Sequence, residues 1–138
     1  VLRTWYNGWC TKRRFQGKGE CLFGCTCGED SIDHYMRCAC LHAYGQSRLR
    51  LARADNPLEL SLNFMLLAPT SAITDEVLSR RALLMAAAYR LHCRHRHTGS
   101  LTDVGILSRA LDQAVKEATL GHQVAMRHLD GIWIRATT

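Results

Sequence analysis

No run of about 18 consecutive apolar residues occurs in this chain, so a membrane-spanning helix is excluded. The longest apolar stretches, Phe64–Ala68 and Ala82–Tyr89, are short enough for buried helix segments. No apolar leader opens the chain. The familiar catalytic signatures are missing as well: there is no G-x4-G-K-[ST] phosphate loop, no G-x-G-x-x-G, no H-E-x-x-H and no G-x-S-x-G. A polymerase needs an aspartate pair for two metal ions, and no Asp-Asp occurs. The adjacent acid pairs are Glu29-Asp30, in a loop, and Asp75-Glu76, where a helix start explains it. These absences predict a binding protein rather than an enzyme, with no small-molecule substrate and no membrane partner.

Proline is scarce too, at two residues, and each marks a helix boundary. Asn56-Pro57-Leu58-Glu59 is a start signal: Asn56 accepts from early amides, Pro57 suits the first helical position, and Glu59 completes a capping box. Leu60, Phe64 and Leu67 form its apolar stripe, and Pro69 stops it. A second helix opens at Thr74-Asp75-Glu76, with acids near the positive end of its dipole, and runs to about His92. Val77, Leu84, Ala88 and Leu91 lie on one face, with Leu78, Ala82, Met85 and Tyr89 beside them, so this helix is central. Gly99-Ser100 breaks the chain, and Thr102-Asp103 caps a last helix carrying Val104, Leu107, Leu111, Ala114 and Ala118. Gly121 is expected to interrupt it, with Gly131–Arg135 as a short apolar tail.

What the chain has in plenty is cysteine, at positions 10, 21, 25, 27, 38, 40 and 93. An odd count and the missing leader argue against a disulfide framework and for a reducing, intracellular compartment. Cys21-Leu-Phe-Gly-Cys25, followed by His34-Tyr-Met-Arg-Cys38, sets three thiols and an imidazole at C-x3-C-x8-H-x3-C. That is the ligand set of a closed structural zinc site. A helix from about Ser31 to Tyr44, capped by Asp30 or Ser31 and closed by Gly45, would put His34 and Cys38 on one face. Ile32, Tyr35 and Met36 would face a core. The predicted ligands of one structural zinc are Cys21, Cys25, His34 and Cys38, with Cys27 and Cys40 as rivals for Cys25 and Cys38.

The charge is lopsided. Residues 1–53 hold nine Lys/Arg against four acids, a net of +5, whereas 54–138 hold nine against eight, a net of +1. Lys12-Arg13-Arg14 is flanked by Trp5, Tyr6, Trp9 and Phe15, with Lys18 close behind. Cations interleaved with rings suit a nucleic-acid backbone and unpaired bases. Lys12, Arg13, Arg14, Lys18, Arg37, Trp9 and Phe15 are therefore the candidate nucleic-acid contacts. The segment Arg90–His97 gathers histidines and arginines at a helix C-terminus, where the dipole favours cations. A lone helix splays those histidines, so contact with phosphates suits the segment better than a second metal site.

The segments Asn7–Phe15, Cys21–Cys25 and Asp30–Cys38 together resemble the region downstream of the reverse transcriptase in non-LTR (LINE-type) retrotransposon polyproteins. There a Cys-Cys-His-Cys cluster follows the polymerase, preceded by a Trp-rich, Arg-containing segment. The resemblance covers residues 5–40 and implies zinc-ligand roles for Cys21, Cys25, His34 and Cys38. It also implies contact of the neighbouring cations with element RNA or target DNA, an upstream polymerase domain as partner, and a nuclear or ribonucleoprotein setting. The spacer between His34 and Cys38 is one residue shorter than in many such clusters. The Pro-Asp and lysine signature of the nuclease found in some relatives does not follow residue 40. A chain that opens with Val1 is expected to be a piece of a longer one.

The expected architecture is mainly α: a zinc-nucleated basic module over 1–53, then a three- to four-helix bundle over 54–138. The expected function is structural-zinc nucleic-acid binding. The alternative is a zinc-stabilised protein-protein interaction module that uses the helices as a docking surface.

Overall fold

The computed structural model describes residues 4, 8–17, 19–26, 28–54, 56–67, 73–98, 101 and 103–137; side chains are described up to Gly121 and at Gln123. The fold is mainly helical, with a Cys/His cluster near its N-terminal end. A 3-10 turn over Arg13–Phe15 precedes helices α1 (Ile32–Tyr35), α2 (Ala39–Arg48), α3 (Pro57–Phe64), α4 (Asp75–His95) and α5 (Val104–Thr137). Among the described residues the β pairing is limited to an isolated antiparallel bridge between Glu20 and Glu29.

Local chemistry sets most helix starts. Asn56 is extended, and its Oδ1 accepts from the Glu59 amide at 2.8 Å, with Pro57 in the first turn. Thr74 Oγ1 accepts from the Val77 amide at 3.3 Å, and Asp103 Oδ1 from that of Ile106 at 2.9 Å. Ser31, rather than Asp30, caps α1 by accepting from the His34 amide at 3.2 Å. Asp30 is committed elsewhere.

The single helix expected from Ser31 to Tyr44 is two. α1 ends after one turn, and Cys38 adopts an extended backbone (φ −61°, ψ 118°) before α2 begins. His34 and Cys38 therefore do not share a helical face; a kink between two helices brings them together. Gly45 does not close α2, which continues to Arg48. Its missing side chain serves packing instead. A Cβ there would lie 3.1 Å from both Leu51 Cδ1 and Leu84 Cδ2, so α2 passes close to α4. The helix stops where Arg50 turns to φ 53° and the Leu49 and Leu51 amides both reach the Gly45 carbonyl. α3 likewise ends early, at Phe64, with Leu66 at φ 58°; Pro69 lies outside the described residues, as do Gly99, Ser100 and Thr102. α5 runs through Gly121 and the 131–135 segment without a break.

α4 and α5 form the most extensive helix pair. Leu84, Met85, Ala88 and Leu91 of α4 and Leu107, Leu111 and Ala114 of α5 are buried in one hydrophobic core. The same core contains Trp9, Leu22, Phe23, Ile32, Tyr35 and Leu41. It is therefore continuous across the 53/54 boundary expected between two domains. Trp9 makes the junction. Its ring is fully buried, with centroids 5.7 Å from Tyr35, 6.4 Å from Phe64, 5.3 Å from Tyr89 and 5.4 Å from His92. The Leu101 amide donates to the Leu22 carbonyl at 2.7 Å. The Tyr44 hydroxyl donates to Asp112 Oδ1 at 2.7 Å and ties α2 to α5.

Candidate metal centre and nucleic-acid interface

The loop from Gly19 to Asp30 folds back on itself. The Asp30 amide donates to the Gly19 carbonyl at 2.9 Å, and the Cys21 amide to the Gly28 carbonyl at 3.0 Å. Inside it, Gly24 sits at φ 80°, a left-handed turn that glycine adopts at little cost. This places Cys21 opposite the α1–α2 kink. The ligand atoms of Cys21, His34 and Cys38 lie within 4.8 Å of one another, a group that can hold a metal ion. Both thiols are buried and the imidazole is half-buried.

Three observations fit a metal here. The sulfurs of Cys21 and Cys38 are 3.7 Å apart; two sulfurs each about 2.3 Å from a tetrahedral ion would be separated by about 3.8 Å. His34 Nε2 is buried with no nitrogen or oxygen partner, and the imidazole instead meets the Cys21 sulfur, as two neighbouring ligands of one ion would. Finally, the His34 ring lies where a side chain on Gly28 would be: a Cβ there would fall 1.9 Å from Cε1 and 2.1 Å from Nε2. Glycine at 28 is the space that the imidazole occupies.

The electrostatics agree. The hydrogen bond between the Cys21 and Cys38 sulfurs, against the opposing effect of burial, pulls Cys21 down to about 6; the Cys25 and Phe23 amides and the His34 imidazole add to this. Cys38 is pushed up by the same contact and by burial. Thiolate character gathered on one buried sulfur makes a ready cation ligand.

Cys25 is buried in the same loop, but its sulfur is not part of the close group. Cys27 lies outside the described residues. Cys40 is half-buried on α2, two residues past the Cys38 cap, and is likewise outside the group. None of the six described cysteines is in a disulfide.

Behind the cluster lies a polar network that the sequence reading did not foresee. Asp30 Oδ1 accepts from the Tyr35 hydroxyl at 2.5 Å and lies 3.0 Å from His92 Nε2; Asp30 Oδ2 accepts from the Lys12 amide at 2.8 Å. Burial pushes Asp30 up, but the His92 and Tyr35 hydrogen bonds and the Lys12 amide outweigh it and hold the carboxyl below its ordinary range. Tyr35 is raised, by burial first and then by Asp30. His92 follows Leu84 and Ala88 at four-residue steps, so the apolar stripe of α4 already pointed it inward; its placement in a cationic tail concealed this.

The cationic turn hangs from the same carboxylate. Besides the Lys12 amide, the Arg13 amide donates to the Asp30 carbonyl at 3.2 Å. Lys12, Arg13, Arg14 and Phe15 are all exposed, and the Arg14 guanidinium lies 5.5 Å from the Phe15 ring centroid. Arg13 faces Glu29 at 3.8 Å. Arg37 is exposed on the turn between α1 and α2. Lys18, Trp5 and Tyr6 lie outside the described residues. Trp9 must be removed from the candidate contacts: its ring is sealed among four others and its Nε1 donates to Thr4 Oγ1 at 3.0 Å. A base has no route to it.

The Arg90–His97 tail is splayed, as helical geometry requires. His92 is buried, His95 half-buried, and Cys93 and His97 exposed. None of these belongs to a cluster able to hold a metal among the described residues. Among those residues, too, no helix is long and apolar enough to cross a membrane. Compared with protein-family models, curated proteins and solved structures, the chain matches none.

Proposed function

We propose that the chain is a structural-zinc module that binds nucleic acid, acting by binding rather than catalysis. Zinc suits a set of two thiols and an imidazole. Cys21, His34 and Cys38 supply three ligands, and Cys25 or its rival Cys27 supplies the fourth. Four protein ligands leave no open position, so the ion's contribution is folding energy, about 10–16 kcal/mol if the loop behaves as zinc-finger peptides do.

The observation that carries the reading is the double hold of Asp30 on the Lys12–Phe15 turn, through its carboxylate and its carbonyl. The metal loop ends at Asp30, so an ion that orders the loop also orders the cations. Lys12, Arg13, Arg14 and Arg37 then meet phosphates, with Phe15 at their edge. Nothing in the sequence predicts base-edge readout, so binding is expected to be weakly sequence-selective. The resemblance to the region downstream of LINE-type reverse transcriptases supports element RNA or target DNA as ligand and an upstream polymerase as neighbour in a longer chain.

A salt titration of labelled RNA and single-stranded DNA, with zinc-loaded and chelated protein, tests this. Affinity should fall steeply with salt and collapse on chelation. Replacing Lys12, Arg13 and Arg14 together should flatten the slope by about 2, at roughly 0.7 per phosphate contact on single strands. Background affinity at low salt would favour the other reading, a zinc-stabilised protein-interaction module.

A further inference from the structure

Cations on the helices are mostly matched by acids. Arg90 and Arg94 share Glu117, Arg48 meets Asp112, and Arg80 meets Glu76. Other cations have no such partner among the described residues, and two of these line one groove. The end of α4 runs past the 3-10 turn and leaves a groove of about 320 Å³, lined by Cys10, Thr11, Lys12, Phe15, Arg96 and His97. Neither Lys12 nor Arg96 has a carboxylate partner among the described residues. The lining comes from two segments, 10–15 and 96–97, although 81 positions separate residues 15 and 96 in the chain. Phe15 is 67% exposed, so much of its ring is open to solvent beside these cations. It is held there by a turn whose ends are fixed: the Gly17 amide donates to the Lys12 carbonyl at 2.8 Å, and the Lys12 amide to Asp30.

We infer that this groove is a seat for one unpaired nucleotide, which would make single-stranded nucleic acid the preferred ligand of the module. The inference rests on the nucleic-acid reading above and adds to it a strand preference and lining residues from the end of α4. The volume is near the lower end of ligand clefts, about 300–1,000 Å³. An exposed ring offers a face for stacking, and stacking needs a base that is not already paired. Unmatched cations from both segments take the phosphates on either side of that base. A duplex presents the same phosphates but keeps its base faces covered, so it gains only the charge contribution.

Fluorescence anisotropy with zinc-loaded protein tests the inference, using labelled oligouridylate, oligothymidylate and a duplex of equal length. At least one single strand should bind about 5-fold or more tightly than the duplex, the factor that one base–ring stack represents. Preference for uridylate assigns RNA, and preference for thymidylate assigns DNA. Phe15→Ala should remove most of the single-strand advantage; its exposure makes it safe for folding, which circular dichroism verifies. Arg96→Gln, far from the metal loop in sequence, should lower the single-strand salt slope by about 0.7. Equal binding of strand and duplex, or a Phe15→Ala protein that keeps the full preference, overturns the groove assignment while the charge-based reading stands. No binding of any of the three probes at low salt overturns both.

Discussion

His92 Nε2 lies 3.0 Å from Asp30 Oδ1, and both side chains are closed off from solvent although 62 positions separate them. One residue ends the loop that carries Cys21 and Cys25, and the other lies in the last turns of the longest fully described helix. The contact thus joins the cationic turn, the Cys/His cluster and the helical core into one unit. Asp30→Ala would strand the Lys12 amide, the Tyr35 hydroxyl and the His92 imidazole together. Unfolding by denaturant should show a loss of about 3–5 kcal/mol, since each buried polar group left without its partner costs about 1–3 kcal/mol. A loss below 1 kcal/mol would mean that the network is incidental.

Trp9→Ala should cost about 3–5 kcal/mol, in the range of large-to-small core changes, because four rings pack against it. Trp9→Phe keeps most of the packing and should retain both fold and nucleic-acid affinity. An affinity lost in a well-folded Trp9→Phe protein would restore Trp9 to the binding surface.

Gly28→Ala puts a methyl group into the space of the His34 ring. Zinc affinity, measured by competition with a chromophoric chelator, should fall about 10- to 100-fold, as when groups that orient a ligand are changed. Gly17→Ala, where a Cβ would meet only the Lys12 carbonyl at 3.2 Å, serves as control. Equal affinities in the two variants would show that the imidazole does not need this cradle.

His42 supplies a pH dependence. Burial pushes its pKa down, while its hydrogen bond to the Met36 carbonyl, at 2.7 Å, partly opposes this. A histidine with a depressed folded value binds its proton more readily when unfolded. Its share of stability is therefore present above about 6.5 and lost as pH falls through the folded value. Thermal melts of wild type and His42→Gln, compared between about pH 7.5 and 5.5, should show wild type losing more. A constant difference between the two proteins would contradict the sign.

Much of this was legible in the residues, and the failures have physical causes. Asn56-Pro57, Thr74 and Asp103 marked helix starts correctly, because capping is local chemistry. Helix ends were less legible: Gly45 and Gly121 sit inside helices, where packing and continued hydrogen bonding outweigh a glycine's weak preference to stop. The ligand spacing found Cys21, His34 and Cys38, yet for a mistaken reason, since a kink at Cys38 rather than a shared helical face brings them together. Trp9 was assigned to the surface because rings beside cations look alike whether buried or stacked for a ligand. Asp30 was read only as a cap, and its link to His92 lies at a sequence distance that no local pattern reports.

Native mass spectrometry of the purified chain, with and without a strong chelator, bears most directly on the proposal that a metal ion organises the N-terminal region. One zinc ion per chain, with reduced cysteines and a shift to highly charged, unfolded species on chelation, is the predicted result. A chain that carries no metal, that keeps its compact charge distribution after complete demetallation, or whose cysteines are cross-linked would contradict it.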